Sequence, residues 1–90
     1  MSVRVTHRRM WQGGWSNEHI VAVRWLSDQD SSIGESTRET MVNWVRDGGY
    51  AYVQGSQSRS QVGVVDATLP YLRTYANGIW NDNLLSLPTF

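Results

Sequence analysis

Ser36-Thr37-Arg38-Glu39-Thr40-Met41-Val42-Asn43-Trp44-Val45-Arg46-Asp47-Gly48-Gly49 is the stretch that decides how the rest of this 90-residue chain is read, because it carries a helical period among segments that read as strands. Ser36 and Glu39 stand at capping-box spacing: the serine hydroxyl would accept from the N3 amide, and the glutamate would reach back to the amide of Ser36. Met41, Val42, Trp44 and Val45 then fall within one apolar arc. Arg46 suits the negative end of a helix, and Gly48-Gly49 stops it. A helix of about three turns is marginal alone, so its Met41, Trp44, Val45 stripe must dock on a sheet.

Upstream, Val3 to Trp11 reads as a strand, with Val3, Val5, His7, Arg9 and Trp11 on one face and Arg4, Thr6, Arg8 and Met10 on the other. Gln12-Gly13-Gly14 and Ser16-Asn17 supply turn chemistry around Trp15. His19 to Leu26 is a second strand, apolar on both faces and therefore central, and the two strands form an antiparallel hairpin. Ser27 to Gly34 reads as a polar loop before the helix.

Downstream, Tyr50 to Gln54 and Gln61 to Asp66 form a second hairpin over the polar tip Gly55–Ser60. Thr68-Leu69-Pro70 breaks the chain. Tyr71 to Tyr75 is a fifth strand, Asn77-Gly78 signals a type I′ turn, and Ile79-Trp80 returns as a short sixth. Leu84, Leu85 and Leu87 are too apolar to float free. The expected fold is α+β: residues 1–90 as one domain in the order β-β-α-β-β-β, with a mostly antiparallel five- or six-stranded sheet and one short helix on one face. A curled SH3-like or OB-like barrel is the alternative.

The tail carries a resemblance. Tyr71-Leu72-Arg73-Thr74, Asn77-Gly78 and Asp82-Asn83-Leu84-Leu85-Ser86-Leu87-Pro88, together with Val5-Thr6-His7, Glu18-His19-Ile20 and Trp25, make the chain similar to a bacterial family of domains of unknown function. That family's members end in a Leu-Arg-Thr, Asp-Gly, Asn-Leu, Leu-Pro pattern, and Asn77 stands where the pattern has Asp. The resemblance implies a small stand-alone domain and brings no activity, substrate or site residue with it.

Composition narrows the chemistry. The chain has no Cys, so disulfide scaffolds, thiolate catalysis and Cys-based zinc sites are excluded. No apolar run approaches the roughly 20 residues of a membrane helix, and no signal-peptide core is present, so a cytoplasmic protein that uses no membrane is expected. All eight basic residues are Arg, and the net charge is zero. The charge is uneven: residues 1–26 hold four Arg against one Glu, and residues 27–90 hold four Arg against seven acids. A neutral total argues against strong non-specific nucleic-acid binding but leaves a local basic patch.

Three sites are legible. Arg4, Arg8, Arg9 and Arg24 lie near Trp11 and Trp15, the residue types that hold single-stranded nucleic acid through backbone charge and base stacking. If the first hairpin pairs tightly, His7 and the Glu18-His19 pair lie within one or two registers of each other and offer a metal or acid–base site, although a third ligand is not evident; the alternative is two polar rings on a half-buried face, each satisfied by backbone or by Tyr. Arg73 with Asn81, Asp82 and Asn83 reads as a network pinning the tail, with an Arg73–Asp82 ion pair. No nucleophile elbow or phosphate loop is present, and no cofactor, metal or catalytic residue is expected. The chain reads as a non-enzymatic binding or adaptor module for a protein partner, which includes a second copy of itself, with Trp11, Trp15 and Arg8 as the patch. Single-stranded nucleic-acid binding through Arg4, Arg8, Arg9, Trp11, Trp15 and Arg24 is the alternative.

Overall fold

The computed structural model describes residues 2–56 and 58–90; Gln57, in the expected hairpin tip, lies outside the described residues, as does Met1. The elements are β1 (Ser2–Met10), a 3-10 turn at Asn17–His19, β2 (Ile20–Ser27), β3 (Ile33–Thr37), α1 (Arg38–Arg46), β4 (Tyr50–Gln54), β5 (Arg59–Val65), β6 (Tyr71–Ala76) and β7 (Ile79–Asn81). They build one sheet of seven strands in the order β3-β2-β1-β4-β5-β6-β7. Every neighbouring pair is antiparallel except β1 and β4. β3 and β7 end the order without pairing with each other, so the sheet is open and the barrel alternative is overturned.

The expected β-β-α-β-β-β order lacked β3. The polar loop is shorter than the sequence suggested: Ser31 takes a positive φ of 60° and turns the chain, and Ile33 to Thr37 then pairs with β2. This edge strand buries no side chain, so it has none of the apolar alternation by which strands are recognised. Ser36 is consumed by it. Its hydroxyl accepts from the Trp25 indole at 3.0 Å, and the helix cap passes to Thr37, whose Oγ1 accepts from the Thr40 amide at 3.3 Å. The expected Ser36–Glu39 box is thereby replaced by a cap one residue later.

β3 also explains the parallel pair. It runs parallel to β1 and β4, so β3-α1-β4 is a crossover connection that carries the chain over β2 and β1, which parallel strands require. The helix lies on the inner face of the sheet and buries Met41 and Val42, with Trp44 and Val45 half-buried beside them. Val3, Val5, Ile20, Val23, Ala51, Val53, Val62, Leu72 and Leu84 complete the core. Trp25 lies across the backbone of Gly34 on the neighbouring strand, where any Cβ would collide with the indole.

A bulge at Thr6 reverses the expected faces of β1 from His7 onward. Val5 pairs with Trp25 and His7 with Arg24, so Thr6 is the extra residue. Val3, Val5 and Arg8 therefore face inward with their buried or half-buried partners, whereas Arg4, His7 and Arg9 face outward. The expectation that Arg4 and Arg8 share a face, away from Arg9, is overturned by this one inserted residue.

The tail docks as its leucines require: Leu84 is fully buried, and Leu85 and Leu87 pack on the core. Asn81 accepts from the Thr74 hydroxyl and from the Asn83 amide, and both Asn81 and Asn83 donate to Ser60 Oγ at 3.1 and 2.8 Å. Arg73 pairs with Asp82 at 3.2 Å. Beyond it, the Arg8 amide donates to Pro88 and the Phe90 amide donates to the Arg8 carbonyl, so the chain end lies beside β1 past the point where β4 diverges.

Candidate docking surface

β1 ends where Met10 pairs with Ile20, and the connection to β2 is built around His19. The Trp11 amide donates to the His19 carbonyl at 2.7 Å, and the Gly14 amide donates to the Trp11 carbonyl at 2.7 Å. Gly13 between them takes φ 79°, a conformation that favours glycine. His19 Nδ1 faces back into the loop and accepts from the Trp15 and Ser16 amides, each at 3.3 Å, and lies 2.9 Å from Ser16 Oγ. The Trp11 ring leans on the imidazole with centroids 5.6 Å apart.

This arrangement spends polar groups to hold two indoles in solvent: Trp11 is 62% and Trp15 is 79% exposed. Leu69, 67% exposed, stands across from Trp11 on the loop before β6, and the two line a cleft of about 620 Å³ with Glu18, His19, Val21 and Arg38. Arg38 donates to the Glu18 carbonyl at 2.9 Å, fixing the first turn of α1 against the 3-10 turn. Leu69 was not legible as part of this end, because only the tertiary fold brings residues 11 and 69 together.

The bulge divides the expected arginine set by face. Arg4, Arg9 and Arg24 lie on the outer sheet face. The Arg9 and Arg24 guanidiniums lie over the Phe90 ring, 4.3 and 4.6 Å from its centroid, and Arg24 also pairs with Glu35 at 3.0 Å. Arg8 is half-buried and faces inward, with its Nε shielded from solvent and without a hydrogen-bond partner.

Arg4 lies beside a cluster that sequence reasoning missed altogether. Tyr52, buried on β4, pairs with Arg4 in register, carries the Arg59 guanidinium 3.9 Å above its ring, and donates to Asp28. Hydrogen bonds from Ser2 and Tyr52, with Arg59 and Arg4 nearby, hold the Asp28 carboxyl below the usual carboxylate range. Burial, and then the bond to Asp28, push the Tyr52 phenol up. The outer face thus carries Arg4, Arg9, Arg24, Arg59 and Arg73 against Asp28, Glu35 and Asp82, an excess of positive charge in a neutral chain.

The histidines do not meet. His7 pairs opposite Arg24 and touches Phe90, whereas His19 lies across from Trp11, so four residue rises along the strand, roughly 13 Å, separate their positions. Among the described residues no group of three or more His, Cys, Asp or Glu side chains could hold a metal ion. No helix there is long and apolar enough to cross a membrane.

Comparison with known proteins returns a family model described as protein of unknown function (DUF3892), matched over residues 4–88. No curated protein matches the chain, and no solved structure matches it. With the match running from β1 through the docked tail and covering nearly the whole chain, the protein belongs to the DUF3892 family.

Proposed function

We propose that this domain is a non-catalytic binding module that docks a protein partner on the end formed by Trp11, Trp15 and Leu69. The observation that carries this reading is the exposure of two indoles on a loop tied down by hydrogen bonds to His19. Large apolar side chains left in water, flanked by polar groups and pre-ordered, are what interface hot spots are made of. Arg38 and Glu18 supply a polar rim for such a contact. The bacterial, cytoplasmic setting expected from the sequence is part of the same proposal.

A quantitative capture from the source cell with three baits tests it. A specific protein held by wild type and by an Arg4→Ala/Arg59→Ala variant, but lost by Trp11→Ala/Trp15→Ala, supports the reading. Equal capture by wild type and the tryptophan variant contradicts it.

The excess charge on the outer sheet face favours a second reading, single-stranded nucleic-acid binding, with Arg4, Arg9 and Arg59 along the phosphates. Its signature is an affinity that falls steeply with salt and falls further in the Arg4→Ala/Arg59→Ala variant.

A further inference from the structure

We propose that His19 is a pH-sensitive latch on the tryptophan loop, closed while its Nδ1 is bare and released when that nitrogen takes a proton. Two backbone amides, those of Trp15 and Ser16, point their hydrogens at Nδ1. An amide hydrogen has a fixed direction, so Nδ1 must present its lone pair, and the proton of the neutral ring sits on Nε2. The Ser16 hydroxyl lies 2.9 Å from Nδ1 and donates to Glu18 Oε1 at 3.4 Å. A second ring proton places an N–H against two N–H groups, and both amides lose their acceptor together. The Ser16 carbonyl to His19 amide bond of the 3-10 turn and the Trp11 amide to His19 carbonyl bond belong to the same loop, so the opening reaches both tryptophans.

The charged groups around His19 are few. Glu18 is its neighbour on the 3-10 turn, and Arg38 approaches from α1 onto the Glu18 carbonyl. Asp82, itself paired with Arg73, holds Asn17 from the tail side at 3.0 Å. The loop wall opposite, Ala67 to Leu69, carries no ionisable group. The Trp15 and Ser16 amides donate to His19 Nδ1 and to none of these groups. Trp15 sits where the latch acts, so a closed latch presents the docking end and an open one disperses it; this consequence for docking rests on the proposed function, whereas the latch itself does not.

Ring-nitrogen NMR and amide exchange of the free protein test the latch, from about pH 8 to about pH 5, the range over which histidine changes charge. The proposal expects a bare Nδ1 and a protonated Nε2 on His19 at the upper end. As His19 takes its second proton, protection of the Trp15 and Ser16 amides should fall about tenfold, what one net hydrogen bond is worth, while the Val23 amide in the core is unchanged. His19→Asn keeps a carbonyl acceptor near the Nδ1 position without a titrating group, and should hold the two amides protected across the range. A protonated Nδ1 at the upper end, unchanged amides as the ring titrates, or equal loss in wild type and His19→Asn would each overturn the latch. A working latch in a protein that captures no partner would leave it standing and sink the docking reading alone.

Discussion

Tyr52 points its phenolic hydrogen between the two carboxylate oxygens of Asp28, 2.9 and 2.8 Å away, and so ties β4 to the turn between β2 and β3. Ser2 donates to the same carboxylate at 2.8 Å, and the start of β1 is held in the same knot. Strands distant in sequence therefore share one polar fastening on the outer face, opposite the helix.

This fastening gives stability a dependence on pH at both ends. The Asp28 carboxyl is held below its ordinary value when folded, so its contribution is present above the unfolded pKa and is lost as pH falls through the folded one. The Tyr52 phenol is pushed above its ordinary value of 10.0, so its contribution begins to fade above that pH and is lost as pH rises through the folded pKa. Melting curves across pH should show Asp28→Asn with less acid sensitivity than wild type. Tyr52→Phe should show less alkaline sensitivity and, at neutral pH, a loss of about 1–2 kcal/mol. Parallel curves for wild type and both variants would contradict the account.

The core and surface tryptophans should separate cleanly. Trp44 packs its ring on the core and Trp15 stands in solvent. Trp44→Ala should cost about 3 kcal/mol and Trp15→Ala less than about 0.5 kcal/mol, read as shifts in the urea midpoint at unchanged slope. Equal losses would remove the distinction on which the docking surface rests.

Much of this architecture was legible, and what was not shares one cause. The Met41–Val45 arc, the strand at Tyr50–Gln54, the Asn77-Gly78 turn and the buried leucines of the tail are written in local spacing and composition, and they stand where expected. β3 was hidden because Ile33-Gly34-Glu35-Ser36-Thr37 has no buried apolar side chain; its identity comes from β2 beside it. The bulge at Thr6 has no local signal either, and it alone moved Arg8 inward and put Arg4 and Arg9 on one face. The Tyr52–Asp28 bond and the approach of Leu69 to Trp11 join residues that only the assembled fold makes neighbours.

Gly34 offers a direct test of the hidden strand. Its missing side chain leaves room for the Trp25 ring, whose indole donates to Ser36. Gly34→Val should expel the ring and destabilise by about 1–3 kcal/mol, with a loss of near-ultraviolet tryptophan signal. A neutral outcome would mean that Ile33–Thr37 does not pair with β2 in this register.

The buried hydroxyls beneath the tail should prove as sensitive as apolar core positions. Ser60 and Thr74 are both shielded from solvent and share Asn81 as a partner. Asn81→Ala should cost about 2–3 kcal/mol, because buried polar groups are left unpaired, and should raise hydrogen exchange at Leu84, whose amide donates to Thr74. A loss below about 0.5 kcal/mol would show the network to be dispensable.

Whether the Trp11–Trp15–Leu69 end meets another protein is decided most directly by site-specific photocrosslinking in the source cell, with the reactive amino acid placed at position 15 or, for comparison, at position 59. A docking end at Trp15 gives a discrete protein adduct from position 15 and none from position 59. Adducts from position 59 alone, or from neither position, would contradict it.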